Sequence, residues 1–307
     1  EEFLSPSGEF GNHFGHQFNP EVDSRKRAEE AAPTEALDPR YHFPQSRQSI
    51  EDDSAKDRYI NYLLSTISKP LTGLKVIVDC ANGASSFVAP IVYEKAGANV
   101  TAISASPTGW NINENCGSTN LDNLISQVKS SGADLGIAHD GDADRCLLIA
   151  ANGEVIDGDY ILNILANQWL FQGMLNKNTV VGTVMTNLGL IRALESRGTA
   201  FVATPVGDRY VLEKMLAEGH TLGGEQSGHV IMRKFANTGD GVLTALHLIS
   251  QMAQSKKSLK ELASFMVSYP QVLINVSGVS KEKLAHNQAI KDAVSRIEAA
   301  LGSRGRV

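Results

Sequence analysis

Two short apolar segments in the middle of the chain enclose three closely spaced carboxylates. The run from Ala133 to Ala150 reads ADLGIAHDGDADRCLLIA, and both of its ends have the composition of β-strands. Its centre places Asp140, Asp142 and Asp144 at alternate positions, separated by small residues. Three like charges held in a structured loop repel one another unless a cation neutralises them. The pattern therefore predicts a strand–loop–strand unit at a sheet edge that binds a hard divalent ion, with Mg²⁺ as the expected occupant.

Two other interpretations of this loop are weaker. A solvated acidic turn is the ordinary explanation of an isolated DxD pair, but DxDxD followed by Arg between two apolar strands is a more specific pattern. An EF-hand loop needs Gly at its sixth position and Glu at its twelfth, where this chain has Arg145 and Ala151. Arg145 is instead a candidate contact for a phosphoryl group held on the ion.

Composition excludes several classes of function. A chain of 307 residues with 42% hydrophobic and 20% charged residues is long enough for about two globular domains. The net charge is −6, and the acids and bases show no basic face for nucleic acid. No apolar run approaches the roughly 20 residues that span a membrane, and the first residues lack the pattern of a signal peptide. Three cysteines without a CxxC pair favour a reducing, cytoplasmic location over a disulfide framework.

Strand-like and helical segments alternate twice along the chain. The first series covers residues 53–158 and contains the acidic loop, and the second covers residues 159–268. Such alternation is typical of α/β layers, in which ligands bind near the carboxyl ends of the strands. The prediction is an α/β protein with two successive three-layer domains whose sheets are mixed and mainly parallel.

The two ends of the chain differ from these domains. Residues 1–52 have no helical or strand period apart from a short SRKRAEEAA piece, and they are predicted to be a poorly ordered or non-matching lead. The HFGH string within them offers two histidines without further ligands in register, whereas a closed metal site needs four. Residues 269–307 read as an edge strand over Gln271–Val276, an amphipathic helix over His286–Leu301 and the beginning of another strand at Arg304. These segments predict that residues 269–307 are the start of a third, small α+β unit, and that the given sequence ends inside that unit.

A glycine-rich string in the second series carries candidate sugar ligands. Residues 224–229 read GEQSGH, and the two glycines allow close backbone approach. In an extended loop Glu225 and Ser227 face the same side, and a carboxylate beside a hydroxyl suits the vicinal hydroxyls of a sugar. His229 could bind a phosphate or assist proton transfer. The structural alternative is an ordinary tight turn.

Three strand-to-helix turns complete the set of candidates. The VGDR turn combines free backbone N–H groups at a helix start with Arg209, which makes it a plausible anion contact. Its alternative is a plain N-cap with a surface charge. The turns at residues 186–189 (TNLG) and 238–241 (TGDG) are predicted to be structural.

Together, DGDADR, VGDRYV, GEQSGH and TGDG resemble, in this order and spacing, the α-D-phosphohexomutase superfamily. The form GEQSGH with VGDRYVLEKM is most similar to its phosphoglucosamine mutase branch, and the resemblance covers about residues 53–307. It implies a four-domain cytoplasmic enzyme that interconverts glucosamine 6-phosphate and glucosamine 1-phosphate for UDP-N-acetylglucosamine and cell-wall synthesis. In that family a phosphoserine donates its phosphoryl group, and a bisphosphorylated sugar is the intermediate.

The resemblance also implies a role for each matching residue. It assigns Mg²⁺ to Asp140, Asp142 and Asp144, and the phosphoryl contact to Arg145. It assigns binding of the hexosamine phosphate to a set of residues in GEQSGH and VGDR, namely Glu225, Ser227, Gly228, His229 and Arg209. The oligomeric state is not predicted by either argument.

The chain departs from the family pattern in two places. It contains neither the Ser-His-Asn-Pro string of the nucleophilic serine loop nor the Arg-x-Ser-Gly-Thr string of the last domain. These 307 residues alone are therefore expected not to turn over substrate. Two alternatives stay open at this point. One is a haloacid-dehalogenase-like Mg²⁺ phosphatase with Asp140 as nucleophile, and the other is a non-catalytic module that binds sugar phosphates.

Overall fold

The computed structural model describes Asp52, residues 54–274, 276–280, Leu284 and residues 286–307. The predicted lead over residues 1–52, with its HFGH string, lies outside the described residues except for Asp52. Among the helices of the described part, none combines the length and the apolar character that a membrane span requires.

A five-stranded sheet forms the centre of the first half. Its strands are β1 (Lys75–Asp79), β2 (Asn99–Ile103), β3 (Leu135–His139), β4 (Cys146–Ala150) and β5 (Val155–Ile156). They lie in the order β2-β1-β3-β4-β5, with β1 parallel to β2 and β3, and with β4 antiparallel to β3 and β5. The accompanying helices are α1 (Ala55–Ser65), α2 (Ala89–Lys95) and α3 (Asp122–Ser131).

Alternate side chains of β1 enter two different cores. Val76 and Val78 belong to the main core, whereas Ile77 packs with Leu124 and Val128 of α3 on the opposite face. Because successive side chains of a strand point to opposite faces, a strand that is apolar at every position must be covered on both sides. This half of the protein is therefore a three-layer α/β unit.

A four-stranded sheet repeats the arrangement in the second half. Its strands are β6 (Thr179–Thr183), β7 (Ala200–Thr204), β8 (Leu222–Gly224) and β9 (Val230–Met232), in the order β7-β6-β8-β9. β6 is parallel to β7 and β8, and β9 is antiparallel to β8. The helices are α4 (Gly158–Phe171), α5 (Leu188–Glu195), α6 (Asp208–Glu218), α7 (Gly241–Ser255) and α8 (Leu259–Ala263). The predicted fold class, mixed α/β layers, is confirmed.

One continuous core joins the two halves. Leu148 of β4, Trp169 of α4, Val180 of β6 and Leu246 of α7 are all buried within it. α4 and α7 are buried on most of their surfaces, as expected for helices packed between layers rather than on the outside. Asp157 caps α4, and Ser258 forms a capping box at the start of α8 with Glu261.

The hairpin between β4 and β5 contains an Asn-Gly pair but not the two-residue turn that such a pair favours. That turn needs positive φ at both residues, whereas of Asn152 and Gly153 only Gly153 has a positive φ (+88°). The Gly153 N–H donates to the Ala150 carbonyl at 2.7 Å, and the Ala150 N–H donates to the Glu154 carbonyl at 2.9 Å. The loop therefore has three residues and ends in a left-handed glycine, because Ala151 displaces the Asn-Gly pair by one position.

The prediction of strands after residue 269 is wrong for the described residues. Residues 271–274 and Val276 are not in a strand, and Val272 and Ile274 are 82% and 76% exposed. A strand forms only where another strand pairs with it, and the described part of the chain places none there. The predicted strand beginning at Arg304 is likewise replaced by a 3₁₀ turn after α9 (Gln288–Leu301), whose first turn is capped by Asn287.

Asp159, in the first turn of α4, is a fully buried carboxyl. Its Oδ2 accepts a hydrogen bond from the Asn187 N–H at 2.7 Å, whereas its Oδ1 has no hydrogen-bond partner among the described residues. Burial, followed by the charge of Asp157, raises the pKa of Asp159 to about 7. Asn187 also binds the segment after α8, because its Oδ1 accepts from the Tyr269 N–H at 2.9 Å.

This raised pKa predicts a pH-dependent contribution to stability. The carboxyl is protonated in the folded protein below about pH 7 but ionised in the unfolded chain above about pH 4, so its contribution decreases as pH rises through this range. Asp159→Asn removes the effect. We expect the stability of the variant relative to the native sequence to increase by roughly 2 to 4 kcal/mol between pH 4 and pH 8 in urea unfolding. The exposed Asp122→Asn is the control, and equal pH profiles for Asp159→Asn and the native sequence would contradict the prediction.

Candidate active site

The acidic loop is a tight connection between the antiparallel strands β3 and β4. The Ala143 N–H donates to the Asp140 carbonyl at 3.1 Å, and the Arg145 N–H donates to Asp140 Oδ1 at 3.2 Å. Ala143 takes a left-handed conformation with φ of +63°. As a result, one carboxylate oxygen each of Asp140, Asp142 and Asp144 lies within 4.8 Å of the others.

This arrangement concentrates three negative charges, which the single positive charge of Arg145 neutralises only in part. Burial, followed by the charge of Asp144, raises the pKa of Asp140 to about 6. Asp144 Oδ1 is buried without a hydrogen-bond partner among the described residues. The nearest cation is Arg145, whose Nε lies 3.6 Å from both Asp144 Oδ1 and Asp140 Oδ2, too far for a hydrogen bond. An all-oxygen donor set with one orphaned oxygen fits a hard divalent cation such as Mg²⁺.

Two neighbouring loops press against the acidic loop. The Ala84 N–H donates to the Gly141 carbonyl at 2.9 Å, and a Cβ on Gly83 would lie 2.2 Å from that same oxygen. On the other side, a Cβ on Gly141 would lie 2.6 Å from the side chain of Ile112. The loop after β1 is therefore in direct backbone contact with the acidic loop, where a side chain at Gly83 has no room, and the loop after β2 contacts Gly141 through the side chain of Ile112.

Backbone strain is concentrated in these three loops. Among the described residues nine non-glycines have positive φ, and six of them lie here: Ala81, Asn82, Ser104, Asn113, Asn115 and Ala143. Such conformations cost free energy and cluster at functional sites. The loops that follow β1 and β2 were not among the site residues predicted from the sequence. Their asparagines are the signal that was missed, because Asn tolerates the left-handed region better than most residues.

GEQSGH forms the tight turn between β8 and β9, so the expectation of an extended loop is wrong. The Gly228 N–H donates to the Glu225 carbonyl at 3.1 Å, and the Glu225 N–H donates to the His229 carbonyl at 2.9 Å. Glu225 and Ser227 therefore do not share a side in the way that strand geometry would dictate. The Glu225 carboxylate accepts the Gly207 N–H of the VGDR turn at 3.0 Å, and Ser227 is exposed.

A backbone contact joins the acidic loop to the GEQSGH turn. Arg145 and His229 form an antiparallel bridge, and the Cys146 N–H donates to the Gly228 carbonyl at 3.2 Å. Gly228 has φ of +95°, and a Cβ on it would lie 2.3 Å from the Cys146 carbonyl oxygen. The first residue of β4 is thus paired with the end of the turn before β9, which brings the predicted cation and sugar ligands of the two halves to one place.

His229 lies beneath the acidic loop with both ring nitrogens occupied by protein atoms. Its side chain is 4% exposed, and Nδ1 lies 3.0 Å from Asp144 Oδ2. Nε2 accepts the N–H of Gly239 in the TGDG turn at 3.1 Å. The contact of His229 with substrate stays a prediction, while its contact with a predicted metal ligand is a feature that the sequence did not reveal.

The two arginines among the predicted site residues have different surroundings. Arg145 is 44% exposed in its side chain and leans toward the carboxylates. Arg209 is 81% exposed in the first turn of α6, where its Nε donates to Glu213 at 2.8 Å.

A cavity of about 300 Å³ opens beside the acidic loop, and its lining includes Tyr59, Asp142 and Asp240.

Two models of protein families match the chain. They are described as Phosphoglucomutase/phosphomannomutase, alpha/beta/alpha domain II, over residues 57–153, and domain III, over residues 157–269. The first and the second α/β half of the described protein therefore match consecutive domains of one family.

Curated relatives from bacteria carry a common description. A phosphoglucosamine mutase of Leifsonia xyli is 53% identical over 253 residues, which cover 82% of this chain and 56% of the relative. A phosphoglucosamine mutase of Rhodococcus jostii is 48% identical over 293 residues, which cover 95% of this chain and 65% of the relative. The chain thus spans less than two thirds of the length of these relatives.

Solved structures share the fold at low sequence identity. A phosphoglucomutase/phosphomannomutase family protein of Burkholderia thailandensis matches with a TM-score of 0.63 and 24% identity, over 71% of this chain and 47% of that protein. An N-acetylglucosamine-phosphate mutase solved in a substrate complex matches with a TM-score of 0.61 and 17% identity, over 80% of this chain and 58% of that protein. These likenesses show a shared fold. The two family models and the sequence relatives show that the chain belongs to the phosphoglucomutase/phosphomannomutase family of the α-D-phosphohexomutase superfamily.

Proposed function

We propose that these residues form the metal-binding and sugar-binding part of a phosphoglucosamine mutase, which interconverts glucosamine 6-phosphate and glucosamine 1-phosphate. The backbone bridge between Arg145 and His229 carries the proposal, since it holds the DGDADR and GEQSGH loops against each other. The relatives that are 53% and 48% identical support the hexosamine substrate. The cytoplasmic location stays a prediction.

Each candidate residue has a role in this proposal that its chemistry supports. Asp140, Asp142 and Asp144 hold Mg²⁺, which when bound supplies a Lewis acid for the phosphoryl oxygens. Arg145, whose guanidinium is part-exposed and not tightly paired, turns toward the phosphoryl group.

The second half of the crevice holds the sugar. The Glu225 carboxylate accepts hydrogen bonds from the hydroxyls of the sugar, and the Ser227 hydroxyl donates a hydrogen bond to them. Gly228, in the left-handed conformation, lets the backbone approach the sugar closely. His229 lines the crevice from beneath Asp144. Arg209 contributes to the phosphate only if its guanidinium leaves Glu213.

The sugar-binding role predicts a specific loss of affinity. Glu225→Gln keeps the shape of the side chain but removes the charge that strengthens hydrogen bonds to hydroxyls, so we expect binding of glucosamine 6-phosphate to weaken by about tenfold or more. Isothermal titration calorimetry in the presence of Mg²⁺ measures the affinity, with Glu195→Gln on the exposed face of α5 as the control. Equal affinities of the native protein and Glu225→Gln would contradict this assignment.

The phosphoryl donor of the proposed reaction is not among these residues. The 307 residues contain no Ser-His-Asn-Pro string, so we expect the purified chain to bind substrate without converting it. A coupled assay for glucosamine 1-phosphate measures conversion, and a turnover that depends on Asp142 would contradict this expectation. The comparisons do not favour the phosphatase alternative, for which an aspartyl-phosphate trapped on Asp140 would be the direct sign.

A further inference from the structure

We propose that His229 is a positioning residue that orients the metal ligand Asp144, and that the TGDG turn fixes the proton of His229 on Nδ1. The inference rests on the proposed metal site and deepens it. It starts from three contacts between residues that are far apart in the chain: Asp144 with His229, His229 with Gly239, and Gly241 with the acidic loop.

The tautomer of His229 follows from the partner of its Nε2. That partner is the backbone N–H of Gly239 at 3.1 Å, and a backbone N–H can only donate. Nε2 must therefore offer its lone pair, and the ring proton lies on Nδ1. Since Nδ1 is 3.0 Å from Asp144 Oδ2, the ring donates a hydrogen bond to that carboxylate oxygen.

This donation divides the two oxygens of Asp144 between different tasks. Oδ2 is held by the histidine, whereas Oδ1 is buried and has no hydrogen-bond partner among the described residues. A carboxylate fixed through one oxygen presents the other in a defined direction, and in metal sites such outer partners orient the ligands. Oδ1 is thus the oxygen of Asp144 that is available to a cation.

The TGDG turn holds the histidine and the acidic loop at the same time. A Cβ on Gly239 would lie 2.4 Å from the ring of His229, so the backbone lies directly against the ring. Two residues later, the Gly241 N–H donates to the Ala143 carbonyl at 2.9 Å. A turn that the sequence predicted to be merely structural therefore braces both the backbone of the acidic loop and the side chain of one of its ligands.

The turn itself is anchored from two helices. Asp240 Oδ2 accepts a hydrogen bond from the Tyr59 hydroxyl in α1 at 2.8 Å, and Asp240 Oδ1 accepts one from the Leu243 N–H in α7 at 2.8 Å. The chain of contacts runs from these helices through Gly239 and His229 to Asp144. It gives Asp144 a fixed orientation before a metal ion arrives, which lowers the cost of ordering the site when the ion binds.

Two amide substitutions separate the roles of the two ring nitrogens. His229→Asn places an amide N–H near the position of Nδ1 and preserves the donor to Asp144, whereas His229→Gln places its amide near Nε2 and loses that donor. His247→Gln is the matched control, because His247 is similarly buried but does not contact the acidic loop through its hydrogen bond. Its Nε2 is hydrogen-bonded to Thr66 Oγ1 at 3.1 Å. Mn²⁺ binding, followed by electron paramagnetic resonance with Mg²⁺ as competitor, gives the affinity of each variant.

We expect His229→Gln to weaken binding of both ions by about tenfold to a hundredfold, the usual effect of losing an outer partner of a ligand. His229→Asn should retain the affinity within about threefold, and His247→Gln should leave it unchanged. Native affinity in His229→Gln, or an equal loss in His229→Asn and His229→Gln, would overturn the positioning role. A native protein that binds neither ion would instead refute the proposed metal site itself.

A measurement on the native side chain tests the tautomer. Long-range ¹H–¹⁵N correlation spectra of the native protein distinguish a protonated ring nitrogen from one that carries a lone pair. We expect the signals of His229, assigned by their loss in His229→Asn, to show a proton on Nδ1 and a lone pair on Nε2. A proton on Nε2 would overturn the inference, because the contact with Asp144 could then not be a donation from the ring.

Discussion

Replacement of Gly228 with alanine is expected to destabilise the protein by about 3 kcal/mol or more. Gly228 has φ of +95°, a conformation that strains any residue with a side chain, and its Cβ would lie 2.3 Å from the carbonyl oxygen of Cys146. Neither backbone can move freely, because Cys146 begins β4 and the Cys146 N–H donates to the Gly228 carbonyl at 3.2 Å. The substitution therefore separates the acidic loop from the GEQSGH turn.

Gly132 provides the matched control for this substitution. It ends α3 with φ of +67°, but no atom lies within 4 Å of the position that a Cβ would take. Gly132→Ala should cost about 1 kcal/mol, the strain of the left-handed conformation alone. Urea unfolding measures both variants. If Gly228→Ala were no less stable than Gly132→Ala, the close approach between the two loops would not exist in solution.

Asp142→Asn is expected to weaken Mg²⁺ binding by about a hundredfold or more, because it removes the charge of one proposed ligand, a larger change than the loss of an outer partner. The same change should stabilise the metal-free protein. The charge of Asp142 is among the causes that raise the pKa of Asp140, so its removal relieves repulsion within the loop. The variant should therefore unfold at a higher temperature than the native protein without metal, and gain less from added Mg²⁺.

Thermal unfolding with and without Mg²⁺ measures both effects at once. Asp122→Asn, an exposed acid in the first turn of α3, is the control and should respond to Mg²⁺ as the native protein does. The opposite result, an equal Mg²⁺-dependent stabilisation of Asp142→Asn and the native protein, would show that the ion binds elsewhere.

Local patterns in the sequence were sufficient to predict the architecture. The alternation of strand-like and helical segments indicated three-layer α/β domains, and Val76 and Ile77 of β1 do enter opposite cores. The small spacers between the three aspartates indicated a tight loop, and the structure closes it through Asp140. Both features depend on residues that are close together in the sequence, which is why local sequence patterns predict them.

Features that depend on distant residues could not be predicted in this way. The partners of His229 come from Asp144 and Gly239, which the sequence does not connect to it. The strand expected over Gln271–Val276 lacks a pairing strand among the described residues, and an apolar run alone cannot reveal that. The turn at Glu225 is closed by a hydrogen bond from the Gly228 N–H to the Glu225 carbonyl. The sequence GEQSGH is equally compatible with an extended loop, so it does not predict this hydrogen bond.

The central claim is that one crevice holds a divalent ion on the acidic loop and a hexosamine phosphate on the GEQSGH turn. Nuclear magnetic resonance of glucosamine 6-phosphate, with Mn²⁺ as a paramagnetic substitute for Mg²⁺, tests it most directly. We predict that Mn²⁺ broadens the signals of the sugar in the presence of the native protein, and that Asp142→Asn and Glu225→Gln each strongly reduce the broadening at the same concentrations. Broadening that persists unchanged in both variants, or a sugar that does not bind to the native protein, would contradict the account.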